Sequence, residues 1–233
     1  MAEVKVVPIP VKMGPMTVMA YLLVGERVIV LDTGVAGQAE RILGRLADEG
    51  RAATDVSLIL LTHGHRDHAG SADALREATG APIALGAGDE EKAASGRDTE
   101  MHARGVLAWA GLSMIRRRQA RSPAAHGPVP DLVIEAERSL RDYGVDATVV
   151  PTPGHTRGSL SVLTAAGDAL VGDLLGGGGR SRTAPRRGVF VSDEAAMEAS
   201  IRYVLSQRPR RTYTGHDETP FTLEQLTSAF DPR

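Results

Sequence analysis

The sequence predicts an α/β protein built as one domain over residues 1–233, with two strand-rich halves and helices on the outside. Apolar residues make up 42% and charged residues 24% of the chain, which is typical of a folded globular protein. Strand-like and helix-like hydrophobic patterns alternate along the chain, without a linker-like stretch or an internal repeat. Together these observations favour strands covered by outer helices around a shared core.

The N-terminal half is predicted from its hydrophobic periodicity. The run V-S-L-I-L-L at 56–61 is almost wholly apolar and suits a strand buried on both faces. Ile42, Leu43 and Leu46 have helical spacing instead. The predicted strands of this half lie at 4–11, 17–24, 27–31, 56–61 and 82–85, and its predicted helices at 38–49, 72–78 and 89–94.

Segment 97–130 consists of a predicted helical stretch over 97–121, where apolar residues recur at helical spacing, and a proline-rich loop at 123–130. It is interpreted either as an amphipathic helix packed on the core, or as a helical lid or insertion. As a lid it would bring Met101, Trp109 and Met114 to the wall of a pocket, and as an insertion it would offer a dimer surface. Beyond it, strands are predicted at 132–134, 147–150, 159–163, 168–171 and 211–213, and helices at 193–206 and 223–230.

Charge and composition exclude several classes of partner and site. A net charge of −2 excludes the uniformly basic surface that drives nucleic-acid binding, so a small-molecule substrate is expected instead. The absence of cysteine excludes disulfides, thiolate zinc sites and a cysteine nucleophile. No apolar run reaches the roughly 18 residues of a membrane span, and no secretory signal is visible, so we expect a cytoplasmic protein without a membrane partner.

Polar side chains follow the apolar runs in a recurring pattern. Five times, an apolar run ends in a small turn that is followed by a histidine or an aspartate. If these strands end at one edge of a sandwich, the scattered residues form one cluster, as sites built from loops on a rigid scaffold commonly do. The residues concerned are Asp32, the loop at 63–68, His155, Asp173 and His216.

The loop L-L-T-H-G-H-R-D-H-A-G at 60–70 is the most specific signal. Surface turns favour small and turn-forming residues rather than histidine, whereas imidazole and carboxylate groups suit zinc, manganese or iron. His63 and His65, two residues apart in an extended segment, point to the same side and can share one metal. Asp67 and His68 lie further along and can reach a neighbouring ion.

The number of candidate ligands favours two metal ions. A catalytic zinc ion typically has three protein ligands and one open position, and two ions about 3.5–4 Å apart need roughly six ligands. The chain offers seven, which is too many for one tetrahedral ion: His63, His65, Asp67, His68, His155, Asp173 and His216.

These residues carry a resemblance to a known family. The motifs T-H-G-H-R-D-H-A-G, P-G-H-T-R-G-S, V-G-D and T-G-H, with L-D-T-G upstream, resemble in kind and order those of the metallo-β-lactamase superfamily. The resemblance implies a four-layer αβ/βα sandwich, in which two mixed β-sheets are covered by outer helices and the site lies at one edge.

The resemblance also implies a role for each candidate residue. Asp32 would orient ligands from behind, in keeping with the need to fix imidazole tautomers. His102 and His126 match no motif and are expected at the surface, and Asp217 stands where the family usually has a glycine. The site would hold two divalent ions, zinc or else iron or manganese. The first would bind His63, His65 and His155, and the second would bind Asp67, His68 and His216. Asp173 would bridge the two ions.

Among branches of the family, those with a cysteine ligand are excluded, because the corresponding position is Asp173. The bridging aspartate resembles that of glyoxalase II, lactonases and related hydrolases. The resulting hypothesis is a metal-dependent hydrolase, in which hydroxide held between two ions attacks the carbonyl of an ester, thioester or lactone. Asp67 and Asp173 would be its catalytic residues, with Asp67 orienting the hydroxide and passing its proton to the leaving group.

Two alternatives remain open from the sequence. One is an oxidoreductase that resembles the persulfide dioxygenases and holds a single iron through His63, His155 and Asp173. The other is a metal-binding protein without catalysis. The identity of the substrate and the oligomeric state, with a dimer among the options, are likewise left open.

Overall fold

The computed structural model describes residues 3–13, 16–97, 101–121, 127–177 and 184–230. Three short 3₁₀ turns lie at Ala53–Asp55, Arg141–Tyr143 and Gly172–Leu174. The helices are α1 Ala39–Asp48, α2 Arg66–Ala69, α3 Ala72–Thr79, α4 Glu90–Ser95, α5 Val106–Arg121, α6 Glu194–Ser206 and α7 Leu223–Phe230. The strands are β1 Lys5–Met13, β2 Met16–Val24, β3 Val28–Leu31, β4 Val56–Leu60, β5 Ile83–Gly86, β6 His102–Ala103, β7 Leu132–Ile134, β8 Arg138–Ser139, β9 Ala147–Pro151, β10 Leu160–Thr164, β11 Asp168–Leu170, β12 Leu175–Gly177, β13 Pro185–Arg187, β14 Phe190–Val191, β15 Arg211–Tyr213 and β16 Phe221–Thr222.

Two six-stranded mixed sheets form the centre of the fold. The first has the order β1-β2-β3-β4-β5-β7, antiparallel from β1 to β3 and parallel from β3 to β7. The second has the order β16-β15-β11-β10-β9-β8, in which only β11 and β15 are parallel. The predicted α/β class and the two mixed sheets are therefore confirmed.

The sheets pack face to face and are covered by helices on their outer faces. In β3, alternate side chains point to opposite faces, so Ile29 and Leu31 join the core between the sheets. Val28 and Val30 point the other way, into a second core formed with α1 and α3. A third core lies between the second sheet and helices α6 and α7. These layers are the αβ/βα sandwich that the family resemblance implies.

Segment 97–121 differs from the single helix predicted for it. His102 and Ala103 form strand β6, which pairs with β14, and the helix begins only at Val106. The helical spacing is thus overridden at its start by strand pairing with a distant part of the chain. His102 is exposed as expected, whereas residues 98–100 and 122–126, including His126, lie outside the described residues.

The predicted pocket wall in this segment divides into buried and exposed residues. Met101 is buried, but Trp109 and Met114 are 64% and 68% exposed. Whether 97–130 acts as a lid or as a dimer surface stays a prediction. Among the described residues, none of the helices combines the length and the apolar character needed to cross a bilayer.

We expect Leu58→Ala to lower the free energy of unfolding by about 2–5 kcal/mol, since it leaves a cavity between the two sheets. Leu58 is 1% exposed, whereas Val106 in α5 is 82% exposed. Val106→Ala should therefore change stability by less than about 0.5 kcal/mol. Urea unfolding with a chelator present measures both values, and equal losses would contradict the layer assignment.

Candidate metal centre

All the candidate ligands converge at one end of the sandwich. The loops that carry them are joined by backbone hydrogen bonds between the two sheets, since Leu160 N donates to Thr62 O at 2.7 Å. Within the second sheet, the loops that follow β11 and β15 are joined as well, since Gly215 N donates to Gly172 O at 2.8 Å. Asp32 follows β3, His63 follows β4, His155 lies between β9 and β10, Asp173 lies in the 3₁₀ turn after β11, and His216 follows β15.

Three histidines form the first group, which we call the first trio: His63, His65 and His155. One ring nitrogen from each lies within 4.8 Å of the other two. His155 Nε2 lies 3.0 Å from His65 Nδ1, and the ring centroids of His63 and His155 are 4.7 Å apart. His63 and His155 are buried and His65 is half-buried, so one side of the trio remains open. The structure thus brings together the three residues predicted for the first metal.

Asp67, His68 and His216 form the second trio, whose ligand atoms also lie within 4.8 Å of one another. His216 Nε2 is 3.8 Å from Asp67 Oδ2, and the rings of His68 and His216 are 5.4 Å apart. Asp67 and His216 are half-buried beside the wholly buried His68. These are the three residues predicted for the second metal.

Asp173 lies between the two trios. Its Oδ2 is 3.7 Å from His155 Nε2 in the first trio and 3.2 Å from His216 Nε2 in the second. Its Oδ1 is 3.4 Å from His68 Nε2. A carboxylate in this position can contact ions held in both trios, which is the placement that a bridging ligand needs.

The polar atoms of the cluster suit a cation. Buried polar atoms nearly always have a hydrogen-bond partner, and exceptions require an explanation. Among the described residues, His63 Nε2, His68 Nε2 and Asp173 Oδ1 are buried and make no hydrogen bond. All three atoms face the cluster of ligands, and imidazole nitrogen with carboxylate oxygen is a donor set that zinc, iron and manganese accept.

The histidines of the cluster are oriented through their other ring nitrogen. His155 Nδ1 donates to Phe190 O at 2.9 Å, and His216 Nδ1 donates to Thr17 O at 2.9 Å. His68 Nδ1 donates to Asp32 Oδ2 at 2.8 Å. With the proton on Nδ1, the lone pair of Nε2 is free to bind a metal, as in most histidine metal sites.

Asp32 organises the loop behind the ligands. Its Oδ1 accepts from Thr62 N and its Oδ2 from Thr62 Oγ1, both at 2.7 Å. Because Thr62 Oγ1 gives its proton to Asp32, it accepts from His63 Nδ1, 3.0 Å away. Asp32 therefore orients His68 directly and His63 through Thr62. Its φ of 57° lies in the left-handed region, a conformation that costs about 1–3 kcal/mol and is common at functional sites.

Burial and charge shift the pKa values of four histidines of the cluster in different directions. Burial lowers the pKa of His63 well below its usual value and that of His155 to about 4, so both are neutral near pH 7. Burial acts in the same direction on His68 and His216, but Asp173 and other carboxylates outweigh it and raise their pKa values to about 9 and about 10. Against the opposing effect of burial, His216 and His68 lower the pKa of Asp173. The imidazoles of His68 and His216 thus favour the positively charged form more strongly than those of His63 and His155.

The turn before His216 is shaped for close approach. A Cβ at Gly215 would overlap Asp173 Oδ1 and lie 2.7 Å from His68 Cε1, so no larger residue fits there. Asp217 replaces the usual glycine on the other side of His216 and is buried. Its Oδ2 accepts from Thr214 Oγ1 at 2.8 Å, which closes a tight turn around His216.

Apart from Asp32, the residues that support the candidate ligands were not predicted from the sequence. Thr17 and Phe190 each act through one backbone carbonyl, and Thr62 through its hydroxyl, and no local sequence pattern marks any of them. Asp89 is buried and accepts hydrogen bonds from both ligand loops. It follows strand β5 much as Asp32 follows β3, so the same pattern of an aspartate after an apolar strand could have identified it.

An α/β sandwich with two adjacent histidine and aspartate trios at one edge defines a class of metal-binding protein. The sequence profile of the metallo-β-lactamase superfamily matches residues 13–216. The chain belongs to this superfamily.

Individual relatives are similar over nearly the whole chain. The probable metallo-hydrolase YqgX of Bacillus subtilis is 28% identical over 222 residues, which cover 93% of each chain. The di-iron-bound structure of TTHA1623 is 27% identical, with a TM-score of 0.64, and the match covers 96% of this chain and 98% of that one. ETHE1 from Myxococcus xanthus shares the fold, with a TM-score of 0.61 at 20% identity over 97% of this chain and 84% of that one.

We expect Asp32→Asn to weaken binding of a divalent metal by the second trio by about 10- to 100-fold, the usual effect of removing a partner of a metal-binding histidine. Asparagine tolerates the left-handed backbone, but its amide no longer offers two acceptor oxygens to Thr62 and His68. Competition with a chromogenic chelator measures the affinity.

Asp168→Asn is the matched control for that change. Asp168 is also buried but pairs with Arg211 at the opposite end of β11. Equal metal affinity in the wild type and Asp32→Asn would contradict the orienting role of Asp32.

Proposed function

We propose that this protein is a metal-dependent hydrolase that acts on an ester, thioester or lactone in a small molecule and uses two divalent ions. The observation that carries the proposal is the pair of adjacent trios with Asp173 in contact with both. A single tetrahedral ion would leave several of the seven candidate ligands without a role. The name of its relative YqgX, a probable metallo-hydrolase, supports the same reaction class.

The first trio would hold one ion and the second trio the other, with Asp173 as the shared ligand. When bound, the ions would supply Lewis acidity, lowering the pKa of coordinated water toward about 7 and polarising the substrate carbonyl. Zinc is the expected metal, and the di-iron form of TTHA1623 makes iron the main competitor.

Asp67 is suited to proton transfer. Its side chain is 28% exposed at the open side of the cluster, whereas that of Asp173 is only 14% exposed between the trios. From this position Asp67 would orient the attacking water, accept its proton and deliver that proton to the leaving group. Such general acid–base transfer contributes typically about 10²- to 10⁴-fold to the rate.

We expect Asp173→Ala to lower the metal content from two ions per chain and to abolish most turnover, because the shared ligand is lost. Elemental analysis of protein purified without chelator gives the stoichiometry. If turnover and two ions per chain both survive the change, Asp173 is not the bridge. Asp168→Asn, which removes a buried carboxylate from the far end of the same strand, should keep both properties.

A panel of carboxylic esters, thioesters and lactones should reveal turnover by the wild-type protein that is lost in His65→Ala. His65 belongs to the first trio but is half-buried, so its loss should disturb the metal more than the fold. Tight metal binding without turnover on any panel member would favour a metal-binding protein without catalysis.

The second candidate function is an oxidoreductase that resembles the persulfide dioxygenases, with one iron held by His63, His155 and Asp173. His155 Nε2 lies 3.7 Å from Asp173 Oδ2, so part of this set is in place. Purification under reducing conditions separates the two functions. One iron per chain with oxygen uptake on a persulfide would overturn the hydrolase proposal.

A further inference from the structure

Asp89 is a buried carboxylate that no part of the proposed chemistry uses. It lies between β5 and α4 with a relative exposure of 0%. Burying a carboxylate is costly unless hydrogen bonds satisfy its oxygens. Oδ2 accepts from Gly64 N at 2.8 Å and from Thr156 Oγ1 at 2.7 Å. Oδ1 accepts from Gly158 N at 3.1 Å and from Lys92 Nζ at 3.2 Å.

Three of these donors belong to the two loops that carry the first trio. Gly64 lies between His63 and His65, and Thr156 directly follows His155. The two loops are about ninety residues apart in the chain, since His65 and His155 differ by 90 in number. The Asp89 carboxylate therefore accepts hydrogen bonds from a loop of the first sheet and from a loop of the second sheet, and links the two loops.

The packing around Asp89 leaves little room for the loops to shift. A Cβ at Gly158 would lie 2.8 Å from Asp89 Cβ, and one at Gly64 would lie 2.8 Å from Asp89 O. Both loops thus pack against Asp89, at the start of α4, so closely that only glycine fits at positions 64 and 158. A displacement of Asp89 would be transmitted directly to the backbone beside each histidine.

The hydroxyl of Thr156 has a fixed direction in this network. Because the Asp89 carboxylate only accepts, Thr156 Oγ1 donates to it. Ser159 Oγ accepts a hydrogen bond from Thr156 N at 3.0 Å. The Ser159 hydroxyl in turn donates to Thr156 Oγ1, 2.8 Å away. In the turn that holds His155, hydrogen bonds therefore run from the Ser159 hydroxyl to the Thr156 hydroxyl and from there to the Asp89 carboxylate.

We propose that Asp89 is a positioning residue that sets the distance between the two ligand loops and so determines the metal affinity of the first trio. This inference rests on the proposed function only in requiring that the first trio binds a divalent ion. Asp32 has the complementary task, since its hydrogen bonds reach His68 of the second trio and, through Thr62, His63. Each of the two metal positions thus has a buried carboxylate behind it.

The test compares Asp89→Asn with the wild type by ¹¹³Cd NMR and by chelator competition with zinc. Asparagine keeps one acceptor oxygen but replaces the other with an NH₂ group, which is a donor. That group would face either Gly64 N and Thr156 Oγ1 or else Gly158 N, so the side chain could no longer accept all three hydrogen bonds from the two loops. We expect an affinity loss of about 10- to 100-fold at one metal position, with one cadmium resonance shifted or lost and the other kept. Asp32→Asn should chiefly affect the other resonance.

Asp168→Asn controls for the loss of a buried ion-paired carboxylate. It should lower the free energy of unfolding while leaving both cadmium resonances unchanged. The proposal is overturned if Asp89→Asn behaves in the same way, with lower stability but unaltered affinity at both positions, because Asp89 would then serve the fold alone.

Thr156 gives a milder test if Asp89→Asn does not fold. Thr156→Val removes the hydroxyl at nearly constant volume and should weaken the same metal position, whereas Thr156→Ser should restore it. Unchanged affinity in Thr156→Val would count against the proposal. The hydrolase proposal fails separately, if the wild type shows two cadmium resonances but hydrolyses none of the ester, thioester and lactone panel.

Discussion

The structure depends on one constraint: a group of imidazoles and carboxylates is removed from water at the end of the sandwich. Removing such groups from water is unfavourable unless each is hydrogen-bonded or paired with an opposite charge. His63, His68 and Asp173 each bury a polar atom that makes no hydrogen bond among the described residues. Divalent cations bound in the two trios would satisfy these atoms, and the site and its metal would then stabilise each other.

The sandwich brings these groups together because loops from both sheets end at the same edge. Leu160 N and Gly215 N make the backbone hydrogen bonds that lock loop to loop, and the three cores hold the strands behind them. A rigid scaffold of this kind can keep these ligands close together although they are removed from water. The raised pKa of His68 and the lowered pKa of His63, 4.2 Å apart between ring centroids, show how sharply the local charge changes within the cluster.

The sequence was sufficient to predict which histidines and aspartates lie together, and that Asp32 lies behind them, but not the other residues that support the cluster. His63, His65, Asp67 and His68 lie within six residues, and each later ligand follows an apolar strand, so local patterns identify them. The supporting contacts join residues far apart in the chain. Asp89 and Gly158 are 69 residues apart, and β6 pairs with β14 across almost ninety residues. Such pairings follow from the tertiary fold and leave no mark on periodicity.

Two features of the support explain why the cluster is asymmetric. Asp32 has a left-handed backbone conformation, and its side chain accepts hydrogen bonds from Thr62 and His68 of a single loop. That loop follows β4, which pairs directly with β3, the strand that precedes Asp32. Asp89, in contrast, joins loops of different sheets and works through backbone amides rather than through imidazole nitrogens. If Asp89 positions the first trio as proposed, it acts on the spacing of the two loops, whereas Asp32 acts directly on one ligand ring, that of His68. Asp173 adds its negative charge to both trios, since it lies 3.7 Å from His155 and 3.2 Å from His216.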